Sequence, residues 1–200
     1  MINNESLDNI YDEYLLLVNR THQLNRNYIP LDLEYVNVSV DVVDEKKFMR
    51  KEAVVNLRQM FSDALRQGCS LMAISGFRSY NRQREIYENS IATKGELYTK
   101  KYIAYPGTSE HQTGLAMDVS SLEMNGELEE EFSYTKEGRW VKMNAYKYGF
   151  IIRYPLGLEN ITGYGYEPWH IRYVGREHSW KMISENINTL EEYIDNKKSK

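Results

Sequence analysis

Two short stretches of the sequence carry side chains that can bind one metal ion together. Any fold of this chain that uses them in this way must bring both stretches to the same cleft. The first contains His111 and Asp118, and the second, farther along the chain, contains Glu167 and His170. Two imidazoles and a carboxylate can hold a catalytic zinc ion, which keeps one further position open for water. Zinc lowers the pKa of that water to about 7, and a nearby carboxylate can then take its proton. The sequence therefore predicts Zn²⁺ on His111, Asp118 and His170, with Glu167 as general base and acid.

The residues around both stretches indicate strands that carry these ligands. Residues 115–119 alternate, so that Leu115, Met117 and Val119 would face the core. Asp118 would then face a cleft. Residues 169–174 alternate as well, which places His170 on one face of a second strand.

The spacing alone leaves a plainer interpretation open. A lone histidine is usually a surface residue or a hydrogen-bonded core residue, and His-x₆-Asp is not a specific pattern. Of the four histidines, His178 is expected at the surface or at the start of a helix. Cys69 is the only cysteine, which excludes an intrachain disulfide, and we expect it to be a buried structural thiol.

In combination the motifs resemble a known family. The pattern Ser-x-His-x-x-Gly-x-Ala-x-Asp is followed by Glu-x-Trp-His, and together they look like the D-alanyl-D-alanine metallopeptidases. The likeness to the VanY and VanXY peptidases of vancomycin resistance runs from about residue 15 to residue 193, with further matching stretches at 149–155, 161–163 and 166–175. In that family the matching positions are the zinc ligands and the catalytic glutamate, which agrees with the chemical assignment above.

A third segment, residues 76–83, resembles the Arg-Ser-Tyr-x-x-Gln segment of the same family. Without the resemblance, Arg78 would be interpreted as a surface arginine. With it, Arg78 is expected to contact the substrate or its tetrahedral intermediate, since a guanidinium can hold a carboxylate or an oxyanion. The resemblance also implies that Gln83 lines the pocket and that Ser109 binds the substrate's terminal carboxylate.

The chain is predicted to form one domain, residues 1–200, because its length suits a single core. The fold class is predicted as α+β, with a small, mainly antiparallel sheet that carries the zinc site and is flanked by helices. Apolar periodicity and capping residues predict helices at 6–19, 47–67, 80–92, 137–148 and 188–195. Strands are predicted at 35–42, 70–75, 115–119, 150–154 and 169–174, and loops at 95–108 and 121–135.

The resemblance implies zinc-dependent hydrolysis of D-Ala-D-Ala and of the C-terminal D-Ala of peptidoglycan precursor peptides. These cell-wall peptides are the expected partners. Two alternatives stay open. One is an L,D-carboxypeptidase that trims cell-wall tetrapeptides with the same metal ligands. The other is a non-catalytic module that binds cell-wall peptides, although a closed structural site would have no need of a base such as Glu167.

Charge and hydropathy exclude other classes of function. The net charge of −4 and the absence of a basic patch argue against nucleic acid as a partner. No apolar run approaches the roughly 20 residues of a membrane span, and the polar start of the chain does not resemble a signal peptide. If Met1 is the native start, we expect a cytoplasmic protein; an N-terminal anchor removed from a longer chain would change that expectation.

Overall fold

The computed structural model describes residues 13–38 and 45–198. Its strands are β1 (Leu33–Tyr35), β2 (Phe48–Arg50), β3 (Leu71–Ser75), β4 (Ala116–Ser121), β5 (Phe150–Tyr154) and β6 (Glu167–Tyr173). Its α-helices are α1 (Lys51–Arg66), α2 (Tyr80–Lys94), α3 (Glu96–Tyr102), α4 (Lys136–Asn144), α5 (Glu159–Thr162), α6 (Arg176–Ser184) and α7 (Leu190–Lys198). Short 3₁₀ turns lie at Glu13–Leu15, Glu45–Lys47, Glu110–Thr113, Glu130–Tyr134 and Ala145–Tyr148.

The main sheet has four antiparallel strands in the order β3-β4-β6-β5, while β1 and β2 form a separate pair. Every residue of β4 is buried, as expected for a central strand covered on both faces. The pairing register places Asp118 directly opposite His170 and next to Ser75. The predicted α+β class, with a small antiparallel sheet flanked by helices, is confirmed, and the centre of the sheet is where the predicted ligands meet.

The core lies between α1 and the sheet. Val54, Leu57 and Phe61 recur at spacings of three and four residues, so they share one helix face, and they belong to the same buried core cluster as Met117 and Ile171 of the sheet. Burial of a side chain of this size contributes about 1.5–3 kcal/mol. This packing fixes the central strands, and therefore the positions of the polar residues that they carry.

The N-terminal predictions were only partly right. Residues 6–12 of the predicted helix 6–19 lie outside the described residues; residues 13–15 form a 3₁₀ turn, and residues 16–19 are not helical. The reason is that Arg172 Nη2 takes the carbonyl oxygens of Tyr14 and Leu16, which a continuing helix would bond internally.

The predicted strand 35–42 ends early. β1 stops at Tyr35, Val36 bonds through its N–H to the carbonyl of Lys47, and Asn37 has a positive φ of 40° that breaks the extended backbone. Residues 39–42 lie outside the described residues. The start of the predicted helix 47–67 was also wrong, because residues 48–50 pair with β1 as strand β2 before α1 begins.

Three helices were missed: α3, the four-residue α5 and α6. The segment 95–108, predicted as a loop, contains α3, which Glu96 and Lys100 support with an ion pair one turn apart, 2.6 Å long. Helix α6 was not predicted, and His178 in its first turn is buried against Tyr193, with Nδ1 2.7 Å from the phenol oxygen. Both segments are mostly polar, so periodicity in the sequence gave little signal. Among the described helices, none is long and apolar enough to cross a membrane.

Candidate active site

His111, Asp118 and His170, here called the ligand trio, meet at the centre of the sheet. One ligand atom from each lies within 4.8 Å of the others, and all three residues are buried. His111 Nε2 is 3.2 Å from Asp118 Oδ2, and His170 Nδ1 is 3.0 Å from Asp118 Oδ1. The structure therefore brings together the residues that the sequence predicted as metal ligands.

The turn that carries His111 is fixed by its backbone. Gly114 closes this 3₁₀ turn in the left-handed conformation with φ 68°, and a Cβ there would meet the side chains of Leu33 and Arg50. The Gly114 carbonyl accepts a hydrogen bond from the Arg50 N–H. The positive φ and the close side chains favour glycine at this position, and β4 begins two residues later.

The ligand trio suits a zinc ion in its chemistry. His111 Nδ1 lies 2.7 Å from the carbonyl oxygen of Gly76; because a carbonyl can only accept, Nδ1 carries the hydrogen and Nε2 presents its lone pair toward Asp118. Burial lowers the pKa of His111. Burial alone would raise the pKa of Asp118, but the two imidazoles outweigh it and hold that pKa far below its usual range. Two nitrogen donors and an ionised carboxylate in a buried site match the ligands that zinc prefers.

Glu167 lies beside the ligand trio without belonging to it. It is the first residue of β6, its side chain is 13% exposed, and Oε2 is 3.8 Å from His170 Nδ1. Burial raises the pKa of Glu167 to about 7. A carboxyl group with this pKa can both accept and release a proton near neutral pH.

Arg78 follows the end of β3 and points toward the same cleft. Its Nη2 is 3.9 Å from Asp118 Oδ2 and donates to Ser75 Oγ at 3.0 Å. Its Nη1 donates to Gln83 Oε1 at 2.9 Å, and the Gln83 amide nitrogen donates to the carbonyl of Ala104 at 2.7 Å. The buried Gln83 therefore ties the guanidinium of Arg78 to the backbone.

A cavity of about 620 Å³ opens onto the ligand trio. Ser109, Arg78 and Gln83 line it together with Glu167. Aromatic side chains form much of the remaining wall: Tyr98, Tyr102, Tyr154, Tyr164, Tyr166 and Trp169. This volume lies in the range of pockets that hold small molecules. All the predicted site residues therefore line one cavity.

Sequence reasoning missed a group of buried charges behind His170, here called the charge network: Glu110, Arg153, Arg172 and Glu191. Glu110 Oε1 accepts from Arg153 Nε at 2.7 Å and from Arg172 Nη1 at 2.6 Å. Arg153 also donates to both carboxylate oxygens of Glu191. Burial alone would raise the pKa of Glu110, but the two guanidiniums outweigh it and hold the pKa well below its usual range. Arginines within two apolar strands were the available signal; their partners could not be identified from sequence.

Comparison with known proteins places the chain in a family. Residues 46–176 match the family described as "VanY: D-alanyl-D-alanine carboxypeptidase". YodJ of Bacillus subtilis (strain 168), a provisionally named carboxypeptidase, is 50% identical over 186 residues, which cover 92% of this chain and 68% of YodJ. VanXYC of Enterococcus gallinarum, a bifunctional D-Ala-D-Ala dipeptidase and carboxypeptidase, is 35% identical over 90% of this chain and 93% of its own length.

Solved structures agree with that placement. The LD-carboxypeptidase LdcB is 51% identical, has a TM-score of 0.85, and is matched over 92% of this chain and 87% of that chain. A VanY D,D-pentapeptidase mutant from a VanB-type resistance cassette, solved in complex with Zn(II), is 32% identical with a TM-score of 0.74, over 91% of this chain and 99% of that chain. The chain therefore belongs to the VanY family of D-alanyl-D-alanine carboxypeptidases.

Proposed function

We propose that this protein is a zinc-dependent carboxypeptidase that removes a C-terminal D-alanine from cell-wall peptides. The observation that carries the proposal is the buried ligand trio with a carboxylate, Glu167, beside it in a cavity. A metal-stabilised binding module would have no need of a poised base next to its ligands. The Zn(II) in the VanY neighbour supports the choice of metal.

Amide hydrolysis needs an activated water, a proton carrier and a group that stabilises the oxyanion, and different parts of the site provide them. A bound zinc ion would supply an acidified water and would polarise the scissile carbonyl. Glu167 takes a proton from the attacking water and passes it to the leaving amine as the C–N bond breaks. Arg78 donates to the oxyanion that develops on the carbonyl oxygen.

Two further residues hold the reactants in place. Ser109 lines the cavity and donates its hydroxyl to the terminal carboxylate of the substrate, which is the feature that makes the enzyme an exopeptidase. Gln83 keeps Arg78 oriented through its two hydrogen bonds. Orientation of this kind lowers the entropic part of the barrier before the reaction begins.

Two peptide bonds are candidates for cleavage. The sequence motifs favour the D,D bond of D-Ala-D-Ala and of precursor peptides that end in it. A second candidate, the L,D bond of a tetrapeptide, is favoured by a specific observation: identity and TM-score are higher for LdcB, 51% and 0.85, than for the VanY structure, 32% and 0.74. The ligand trio and Glu167 serve both reactions, so residues farther along the cavity must select between them.

Mass spectrometry of three substrates incubated with zinc-loaded protein tests the proposal. The substrates are D-Ala-D-Ala, a pentapeptide that ends in it, and the corresponding tetrapeptide. Loss of D-alanine from the pentapeptide or the dipeptide would establish D,D activity, and loss from the tetrapeptide alone would establish L,D activity. A chelator should abolish either activity, because both depend on the zinc ion. If zinc binds and no substrate is cleaved, the proposal is wrong and the binding module is the better interpretation.

A further inference from the structure

The two histidines of the ligand trio are fixed in different ways. His111 is oriented by a backbone group, since its Nδ1 donates to the Gly76 carbonyl at 2.7 Å. His170 has no such backbone contact among the hydrogen bonds of the described residues. Its Nδ1 faces Asp118 at 3.0 Å, and its Nε2 points the opposite way, toward Glu110 Oε2 at 3.6 Å.

Metal binding determines which nitrogen of His170 must carry the hydrogen. Nδ1 faces the ligand trio and must present a lone pair to a metal, so the hydrogen has to be on Nε2. A buried N–H requires an acceptor. Within residues 13–38 and 45–198, neither His170 Nε2 nor Glu110 Oε2 has a hydrogen-bond partner, and both atoms are fully buried. Each is therefore the available partner of the other.

The charge network holds Glu110 in place for this contact. Both arginines bond to Oε1, which leaves Oε2 directed at His170. Arg172 is itself anchored on the carbonyls of Tyr14 and Leu16. Because its other oxygen is occupied on the far side, Glu110 cannot turn away from the imidazole without breaking two charged hydrogen bonds.

We propose that Glu110 is a positioning residue that accepts a hydrogen bond from His170 Nε2–H and so keeps the Nδ1 lone pair available for the metal. This inference rests on the proposed zinc site. It assigns a role to a residue that is neither a metal ligand nor a contact of the reacting bond. It also explains the two arginines of the charge network, which bond directly to Glu110 and hold this acceptor behind a metal ligand.

The variant Glu110→Gln tests the proposal because it keeps the size of the side chain and changes one atom's hydrogen bonding. The glutamine oxygen can stay on the two guanidiniums, and its NH₂ group then faces His170 Nε2. Two donors cannot pair, so His170 should shift its hydrogen to Nδ1, which removes the lone pair for the metal. The dissociation constant for zinc should rise by about 10-fold to 100-fold, the usual effect of losing a partner of a metal-bound histidine.

Glu191→Gln is the matched control. It removes a carboxylate charge from the same network, but Glu191 bonds to Arg153 and Asn19 and not to His170. Zinc affinity is measured for the wild type and both variants by competition with a chelating dye, after the metal has been stripped. Weaker binding in Glu110→Gln with wild-type binding in Glu191→Gln is the expected result. Equal affinities in the two variants would overturn the inference and leave the zinc site standing, whereas a wild type that binds no zinc would overturn both.

The wild-type protein offers a test that does not depend on the folding of a variant. In zinc-loaded protein, ¹⁵N NMR of the histidine side chains should show a hydrogen on His170 Nε2 and none on Nδ1. The same spectrum should show the reverse for His111, with its hydrogen on Nδ1. A hydrogen on His170 Nδ1 in the zinc-loaded protein would contradict the proposal.

Discussion

Two glutamates face opposite edges of the His170 ring, one fully buried and one 13% exposed, and their pKa values are shifted in opposite directions. Glu167, on the cavity side, is near Nδ1, and burial raises its pKa to about 7. Glu110, on the core side, is near Nε2, and two guanidiniums hold its pKa well below the usual range in spite of burial. Burial acts to raise the pKa of both carboxylates, so the opposite shifts come from their different partners.

The comparison separates a reactive carboxylate from a fixed one. Without a bonded cation, Glu167 is costly to ionise, and it can therefore exchange a proton near neutral pH. Glu110 is favoured as an anion and an acceptor, because the guanidiniums of Arg153 and Arg172 bond to it and lower its pKa. Under the two proposals above, the same type of side chain would transfer protons on one side of His170 and orient the ring on the other.

The largest expected effect comes from removing a ligand on the cavity side. His111→Ala should lose both zinc and hydrolysis, because two remaining ligands cannot hold a catalytic zinc site. Metal analysis of purified protein and the mass-spectrometric assay measure the two outcomes. His178→Ala is the control: this histidine is also buried but bonds to Tyr193, so zinc content should stay at the wild-type value. Stoichiometric zinc in His111→Ala would show that the ligand trio is misassigned.

Glu167→Ala tests whether the glutamate on the cavity side of His170 transfers protons. Turnover should fall by about 10²-fold to 10⁴-fold, the usual contribution of general acid–base catalysis, while zinc stays bound. Steady-state kinetics and metal analysis should be made on the same preparation. Glu123→Ala, which changes an exposed glutamate outside the cavity, should keep wild-type turnover. Loss of zinc from Glu167→Ala would mean that the division between ligand and base is wrong.

Arg153→Met tests how much the charge network, on the core side of His170, contributes to the stability of the fold. Arg153 is fully buried between Glu110 and Glu191, and removing one partner of a buried ion pair costs about 3–5 kcal/mol. Urea unfolding measures the change in the free energy of unfolding. Arg82→Met removes an exposed arginine paired with Glu85 and should cost at most about 1 kcal/mol. Similar costs for the two variants would argue that the charge network does not hold the core together.

Gln83→Leu should have the smallest effect of the four. It removes the hydrogen bond to Arg78, so the guanidinium loses its orientation and kcat/KM should fall about tenfold, as expected when a hydrogen bond to a charged group is lost. Gln67→Leu removes a hydrogen bond with Trp140 outside the cavity and should leave kcat/KM unchanged. Wild-type kinetics in Gln83→Leu would show that Arg78 does not depend on this contact.

Local sequence patterns predicted much of the fold. The alternation in residues 115–119 and 169–174 identified β4 and β6, and Ser79 caps α2 as its residue type suggests. Polar segments without periodicity, such as α3, gave no helix signal in the sequence. The helix prediction also failed at residues 16–19, where a distant arginine takes carbonyls that a helix would use. At residues 16–19 this tertiary contact outweighed a weak local preference for helix.

The sequence by itself determined the chemical kinds of side chain in the site and the elements that carry them, because residue type and short-range spacing are written in the chain. Only the tertiary structure decided the partners. The strand register places Asp118 opposite His170, and a shift by one residue would turn one of them to the other face. The contact between Glu110 and His170 joins a turn to a strand 60 positions away, with two arginines that no motif links to them. Buried charges must find partners across the whole fold, and that requirement is met in three dimensions rather than along the chain.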